Sequence, residues 1–218
     1  EHNFKRARSP LLKHPFYAIF WHEGKLTREI IKDYAEQYYQ HVKAFPRYIS
    51  ATHSICDDIE KRKILLENLQ DEENTDGDHP KLWKNFAAAM GADKNKIDDV
   101  KPDWFTKDMI ENFFAQARSS YAEGLASLYT YERQIPEIAE TKIQGLKKFY
   151  GVNSKEGLEF FEAHKSADVV HRAECEKLLD GLSKEEQVKA EKASILTARY
   201  LWNFLSGMTA KHKLQLAA

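Results

Sequence analysis

Apolar and aromatic positions along the 218-residue chain recur at spacings of three and four and alternate nowhere, a pattern that predicts helices and no strands. The longest run, TREIIKDYAEQYYQHVKAFPRYISATHSICD from Thr27 to Asp57, reads as one long helix with Thr27 as its N-cap. Pro46 lies inside it and is expected to kink or break it, because proline removes a ladder hydrogen bond and clashes with the carbonyl four residues back. Ahead of it, PLLKHPFYAIFWHEG predicts a shorter helix ending at Gly24. A third helix starts near Asp58 and meets a break at Gly77 and Pro80, after which HPKLWKNFAAAMG resumes the pattern. DKNKIDDVKPDW is charged and aperiodic, so it predicts a surface connection. From Thr106 the period runs as one helix through LYTYE; Pro136 interrupts, and PEIAETKIQGLKKFYG continues to Gly151. Ser154 and Ser183 are the expected N-caps of the last two helices, the second with Glu186 in a capping box. Seven or eight helices, with no internal repeat and no low-complexity linker, predict one all-α bundle domain over residues 1–218.

Composition narrows the function. Basic and acidic side chains number 33 and 34, which weighs against nucleic acid as a partner. Nine Gly and six Pro are few breakers, in keeping with long helices. No stretch approaches the roughly 20 apolar residues that cross a bilayer, and EHNFKRARSP lacks the apolar region of a signal peptide, so a soluble cytoplasmic protein without a membrane partner is expected. Cys56 and Cys175 are too few for a disulfide framework and read as reduced, packed thiols.

Bundles of this kind build metal sites from side chains on facing helices. His164, Asp168 and His171 stand at i, i+4 and i+7, which places all three within roughly 60° of one helix face. Imidazole nitrogens with a carboxylate suit Fe, Mn or Zn, and a facial set with open positions suits oxygen chemistry. Glu72 and His79 are seven apart and share a face if the helix persists, although Gly77 favours His79 opening the next segment. Glu132 lies among Leu128, Tyr129, Tyr131 and Ile135, where a carboxylate costs several kcal/mol unless paired or metal-bound; Arg133 and Lys142 are the nearby candidates for pairing. Glu72, His79, Glu132, His164, Asp168 and His171 together offer three acids and three imidazoles, too many for one Zn and natural for two Fe or Mn ions.

HPFYAIFWHEGKLT, AEQYYQHVKAFPRYISATHSICDD, DEENTDGDHPKLW, YTYERQIPEIAETKIQGL and FFEAHKSADVVHRAE make the chain resemble the family of the chlamydial death-domain-associating protein, from Leu11 to about Leu205. That family belongs to the heme-oxygenase-like dinuclear metal oxygenases, related to the pyrroloquinoline quinone biosynthesis C protein and the TenA thiaminases. The resemblance implies a seven-helix bundle of the heme-oxygenase type, a homodimer, and two metal ions, Fe/Fe or Fe/Mn, held by all six residues above. It also implies dioxygen as co-substrate, an external reductant, and synthesis of para-aminobenzoate for folate. The ring would come from the protein's own Tyr17 and the amine from Lys142, with Tyr131 and Tyr34 relaying a radical or supporting the site. One family tyrosine is Phe160 here, so that position is not expected to be essential. On residues alone, Tyr17 reads as one core tyrosine among ten and Lys142 as a surface lysine facing Glu137 or Glu140.

Two other classes compete with this reading. A metal-free enzyme of the TenA or pyrroloquinoline quinone type would need an activated thiol, for which Cys56 and Cys175 are the candidates. An interaction module would bind a protein partner through exposed helices, with no particular residue marked as its carrier.

Overall fold

The computed structural model describes residues 11–215 apart from Asp76, and for 166–171 the helical backbone alone. Eight α-helices follow in order: α1 (Arg28–Ser54), α2 (Ile59–Glu72), α3 (His79–Ala89), α4 (Trp104–Ser119), α5 (Tyr121–Glu132), α6 (Ile135–Tyr150), α7 (Lys155–Asp180) and α8 (Lys184–Lys211). Strands are absent among the described residues. The expected caps are in place. Thr27 accepts from the Ile30 amide, Ser154 from Gly157, and Ser183 forms the reciprocal capping box with Glu186. Gly151, at φ 67°, closes α6 in the left-handed region where a side chain would be strained.

Four expectations need correction. α1 runs through Pro46 without a break; the packing of a 27-residue helix against α2, α3, α4 and α5 outweighs a local cost of about 3 kcal/mol. The single helix expected from Thr106 to Glu132 is two, α4 and α5, divided at Ser120. That residue is extended (φ −157°, ψ 161°), and its hydroxyl caps α5 by accepting from the Glu123 amide. The S-x-x-E spelling of Ser120 to Glu123 carried this signal. Leu11 to Gly24 is not an ordinary α-helix but a 3-10 turn, Leu11–Lys13, followed by a π-helical segment, Phe16–Trp21. There the His22 amide bonds to the Tyr17 carbonyl at 3.0 Å and the Lys25 amide to the Phe20 carbonyl at 2.7 Å, each five residues back. Lastly, the seven helices implied by resemblance become eight α-helices and a π segment among the described residues, because Ser120 separates α4 from α5 and α6 starts afresh at Ile135, with Pro136 in its first turn.

α5 has no polar face, since every residue from Ala122 to Glu132 except Glu123 is buried. A helix apolar all round must be covered on all sides, and α1, α4, α7 and α8 pack around it. Its last residue, Glu132, is thereby delivered to the interior. α7 packs on α3 and α6, which brings the start of α3 and the middle of α6 towards the same region. The largest fully buried side chains are aromatic and include Phe16, Trp21, Tyr34, Trp83 and Phe161.

Candidate active site

Glu72 ends α2 and His79 opens α3, so these two ligand candidates do not share a helix. The turn between them, with Asp78 capping α3 through the Lys81 amide, folds one back onto the other. Glu72 Oε2 lies 2.8 Å from His79 Nδ1, yet Nδ1 has no protein hydrogen-bond partner of acceptable geometry. His164 of α7 completes the group, and the ligand atoms of the three buried residues lie within 4.8 Å of one another. His164 Nδ1 donates to the Phe160 carbonyl at 2.7 Å, which fixes the tautomer and leaves Nε2 as the ligand atom. Burial works against a charged His79, but the Glu72 carboxylate, together with Asp71 and Asp78, outweighs it and raises the imidazole's pKa.

Glu132 is buried at the C-terminal end of α5, where the helix dipole also disfavours a negative charge. Burial pushes its carboxyl up to about 8; a hydrogen bond from Asn68 opposes this, and the nearby Glu72 adds to it. Its partners are Asn68 Nδ2, which donates to Oε1 at 2.7 Å, and the Cys175 thiol, 3.8 Å from Oε2. Lys142, one of the two candidates for pairing with it, turns its Nζ to Tyr34 Oη instead. A protonated acid at neutral pH becomes a carboxylate once a cation takes the proton's place, so the donor set fits iron or manganese. Asp168 and His171 lie outside the described side chains; the α7 backbone runs unbroken through both positions.

Beside this cluster is an aromatic chamber. Lys142 of α6 is buried rather than at the surface as its sequence neighbours suggested. Six rings surround its Nζ: Tyr17, Trp21, Tyr34, Tyr38, Trp83 and Phe161, at 5.0–6.0 Å from their centroids. Burial lowers the amine to about 7, so a large fraction is uncharged at neutral pH. Nζ donates to Tyr34 Oη at 2.7 Å, and Tyr34 Oη is 2.9 Å from Tyr17 Oη. Burial raises the pKa of both phenols. Tyr17 is carried by the π segment, whose start is fixed by His14: Nδ1 accepts from the Phe16 amide at 3.1 Å, so Nε2 donates to Ser206 Oγ at 3.0 Å. Tyr131 is buried next to Glu132, packs on Phe45 and His41, and hydrogen-bonds Tyr38.

Sequence reasoning missed Asn68, Tyr38, Trp83 and the partnership of Cys175 with Glu132. A signal existed, because Asn68 precedes Glu72 by four, Trp83 follows His79 by four, and Cys175 follows His171 by four. Cys175 is no activated nucleophile: burial, with Glu132 beside it, drives its thiol pKa up. Cys56 is buried, with Sγ 3.6 Å from the Asp58 carbonyl.

Comparison with known proteins bears on both fold and site. Residues 32–202 match the family described as iron-containing redox enzymes. The 4-aminobenzoate synthase of Chlamydia muridarum is 42% identical over 196 residues, covering 89% of this chain and 83% of that protein. That of Nitrosomonas europaea is 41% identical over 214 residues, covering 91% and 85%. Among solved structures, a TenA homolog from Pseudomonas syringae pv. tomato superposes with a TM-score of 0.80 at 18% identity, covering 95% of this chain and 90% of that one, a likeness of fold. With the family matched over most of its length and relatives aligned nearly end to end, the chain belongs to the iron-containing redox enzymes of heme-oxygenase-like fold.

Proposed function

We propose that this protein makes 4-aminobenzoate in an oxygen-dependent reaction at a pair of metal ions, Fe/Fe or Fe/Mn, taking the ring from Tyr17 and the amine from Lys142. The names of the relatives support the product. The observation that carries the choice of Tyr17 and Lys142 is their hydrogen-bonded connection through Tyr34 in a chamber walled by rings, next to Glu72, His79 and His164. Glu72, His79, Glu132 and His164 would hold the metal, with Asp168 and His171 completing the set. Bound there, the ions would supply one-electron oxidation driven by dioxygen.

The chain's own residues do the rest. Desolvation leaves a large fraction of the Lys142 amine uncharged at neutral pH, and that fraction is nucleophilic. Tyr34 connects the Tyr17 hydroxyl to that amine, giving a phenolic proton a path of two short hydrogen bonds. The walls exclude water, which would otherwise compete for a reactive ring. Trp21 and Phe16 pack on Tyr17 and hold its position. A residue consumed as substrate cannot be renewed, so each chain should yield at most about one product, against roughly 10 per second for an ordinary enzyme.

Intact-mass spectrometry before and after exposure to reduced iron and oxygen tests this. The chain should lose mass at Tyr17 as 4-aminobenzoate appears, and product from chains carrying ring-labelled tyrosine should carry the label when free tyrosine is unlabelled. Tyr17→Phe and Lys142→Arg should bind metal and make no product, since one lacks the hydroxyl and the other a transferable amine. A second reading, an external aromatic substrate, would use the open surface cleft lined by His14, Trp202, Ser206 and Thr209 at the base of the π segment, none of which is a ligand candidate or a wall of the chamber. Unlabelled product formed many times per chain would decide for it.

A further inference from the structure

Trp83 is fully buried between the ligand cluster and the Tyr17–Tyr34–Lys142 chain. Towards the cluster, its ring meets Phe160 edge-on at 4.7 Å between centroids, and Phe160 stacks on His164 at 4.0 Å. On the other side the indole lies 5.1 Å from Tyr38 and 6.2 Å from Tyr34, with Lys142 Nζ 5.3 Å from its centroid. Its ring thus contacts both Phe160 and Tyr34. One turn of α3 separates Trp83 from His79, so ligand and indole share a face. Nε1 donates to the Ala35 carbonyl at 2.8 Å, which fixes the ring against α1.

We propose that Trp83 is the electron relay between the metal-ligand cluster and the Tyr34–Tyr17 pair. The inference rests on the oxygen-dependent reading above and adds to it the route of the electron. Trp83 gives one electron, across the unreactive ring of Phe160, to an oxidant of the iron-and-dioxygen class at the cluster. The resulting indole radical cation keeps its proton, because Nε1–H faces an amide carbonyl and not a base. Tyr34 returns one electron to the indole; towards an uncharged amine its rotatable hydroxyl becomes the donor across the same 2.7 Å contact, and its proton moves to the Nζ lone pair, leaving a neutral phenoxyl and an ammonium. A hydrogen atom then crosses from Tyr17 to Tyr34, so the oxidation ends on Tyr17 and the proton on Lys142. The uncharged state of Lys142 matters at the first step as well, since a cation 5.3 Å from the indole would oppose its oxidation.

The test uses the metal-free chain first. Cys56 and Cys175 are buried, so a thiol introduced by Lys81→Cys on the exposed side of α3 can be labelled selectively with a ruthenium photo-oxidant. A flash should give an indole radical followed by a tyrosyl radical, and Trp83→Phe should lower the tyrosyl yield at least about tenfold while Tyr121→Phe, at the start of α5 beside Lys61, leaves it unchanged. An unaltered tyrosyl yield in Trp83→Phe, or a loss in Tyr121→Phe alone, overturns the relay. A second arm needs no variant: in chains carrying ring-deuterated tryptophan, loaded with iron and freeze-quenched after oxygen, the earliest radical should show altered hyperfine structure. An earliest radical unaffected by that label also overturns the proposal. If the flash arm succeeds and iron with oxygen gives no radical at all, the oxygen-dependent reading fails while the relay stands.

Discussion

Lys142 and Glu132 are two ionisable groups that burial drives in opposite directions, the amine down to about 7 and the acid up to about 8. Near neutrality Glu132 is therefore mostly uncharged and Lys142 uncharged in large fraction, and the sign of each contribution to stability follows. In the metal-free fold Glu132 binds its proton more tightly than the unfolded chain does, so its contribution declines as pH rises from about 4.3 through about 8. Lys142 binds its proton less tightly, so its cost is full below about pH 7 and fades as pH rises towards 10.4. Lys142→Met should accordingly be more stable than the parent near pH 6.5, with the gap shrinking by about 1.4 kcal/mol per pH unit between pH 7 and 10. Denaturant midpoints of both proteins across that range are the measurement; a gap independent of pH would mean that Lys142 is not desolvated. None of this was legible in AETKIQGL, where Lys142 looks like any solvated lysine, because desolvation depends on six rings drawn from four other parts of the chain.

At the scale of the element, the ligands and their supports follow a spacing of four. Asn68 and Glu72 share a face of α2, His79 and Trp83 a face of α3, and Phe160 and His164 a face of α7, where the Phe160 carbonyl accepts from His164 Nδ1. A helix that aims a ligand inward aims the residue one turn away inward too. The π segment is held differently, by the close approach of α6. A Cβ added at Gly145 would lie 2.7 Å from Trp21 Nε1, and Trp21 is in contact with Tyr17. Gly145→Ala should therefore cost about 1–3 kcal/mol through overpacking and displace the segment that carries Tyr17. Product per chain should fall while metal content stays at the parent's level, as read by elemental analysis beside the product assay. Equal loss of metal and product would show that the effect is global.

At the scale of the whole molecule, the Glu72–His79–His164 cluster joins α2, α3 and α7, and Glu132 of α5 lies near enough to interact with Glu72 and His79; these helices are brought together only by the completed bundle. A metal that binds there favours the folded state by mass action, about 2.7 kcal/mol at a hundred times its Kd, a rise in Tm of roughly 5–10 °C for a chain of this size. With Glu132 as a proposed ligand, its proton must leave first, so manganese(II) affinity should rise as pH climbs towards about 8 and level off above. Titration calorimetry at pH 6.5, 7.5 and 8.5 measures this. Glu132→Gln should bind manganese more weakly and with a shallower pH dependence. Among the described residues no helix is long and apolar enough to cross a membrane.

What the sequence determined by itself is local. Its three-and-four spacing set the helices, Thr27, Ser154 and Ser183 with Glu186 set their starts, and histidines and acids in apolar surroundings marked a metal-type donor set, because caps, periodicity and ligand chemistry are properties of neighbours in the chain. Even Ser120 was readable in that way, from the glutamate three residues on. Only the tertiary structure decided that α1 survives Pro46, that Tyr17 rides on a π segment, that Glu72 and His79 meet across a broken helix, and that Lys142 is an interior amine and not a surface cation. Each of these depends on which helices pack together, and so on burial and long-range contact, which no spacing along the chain encodes.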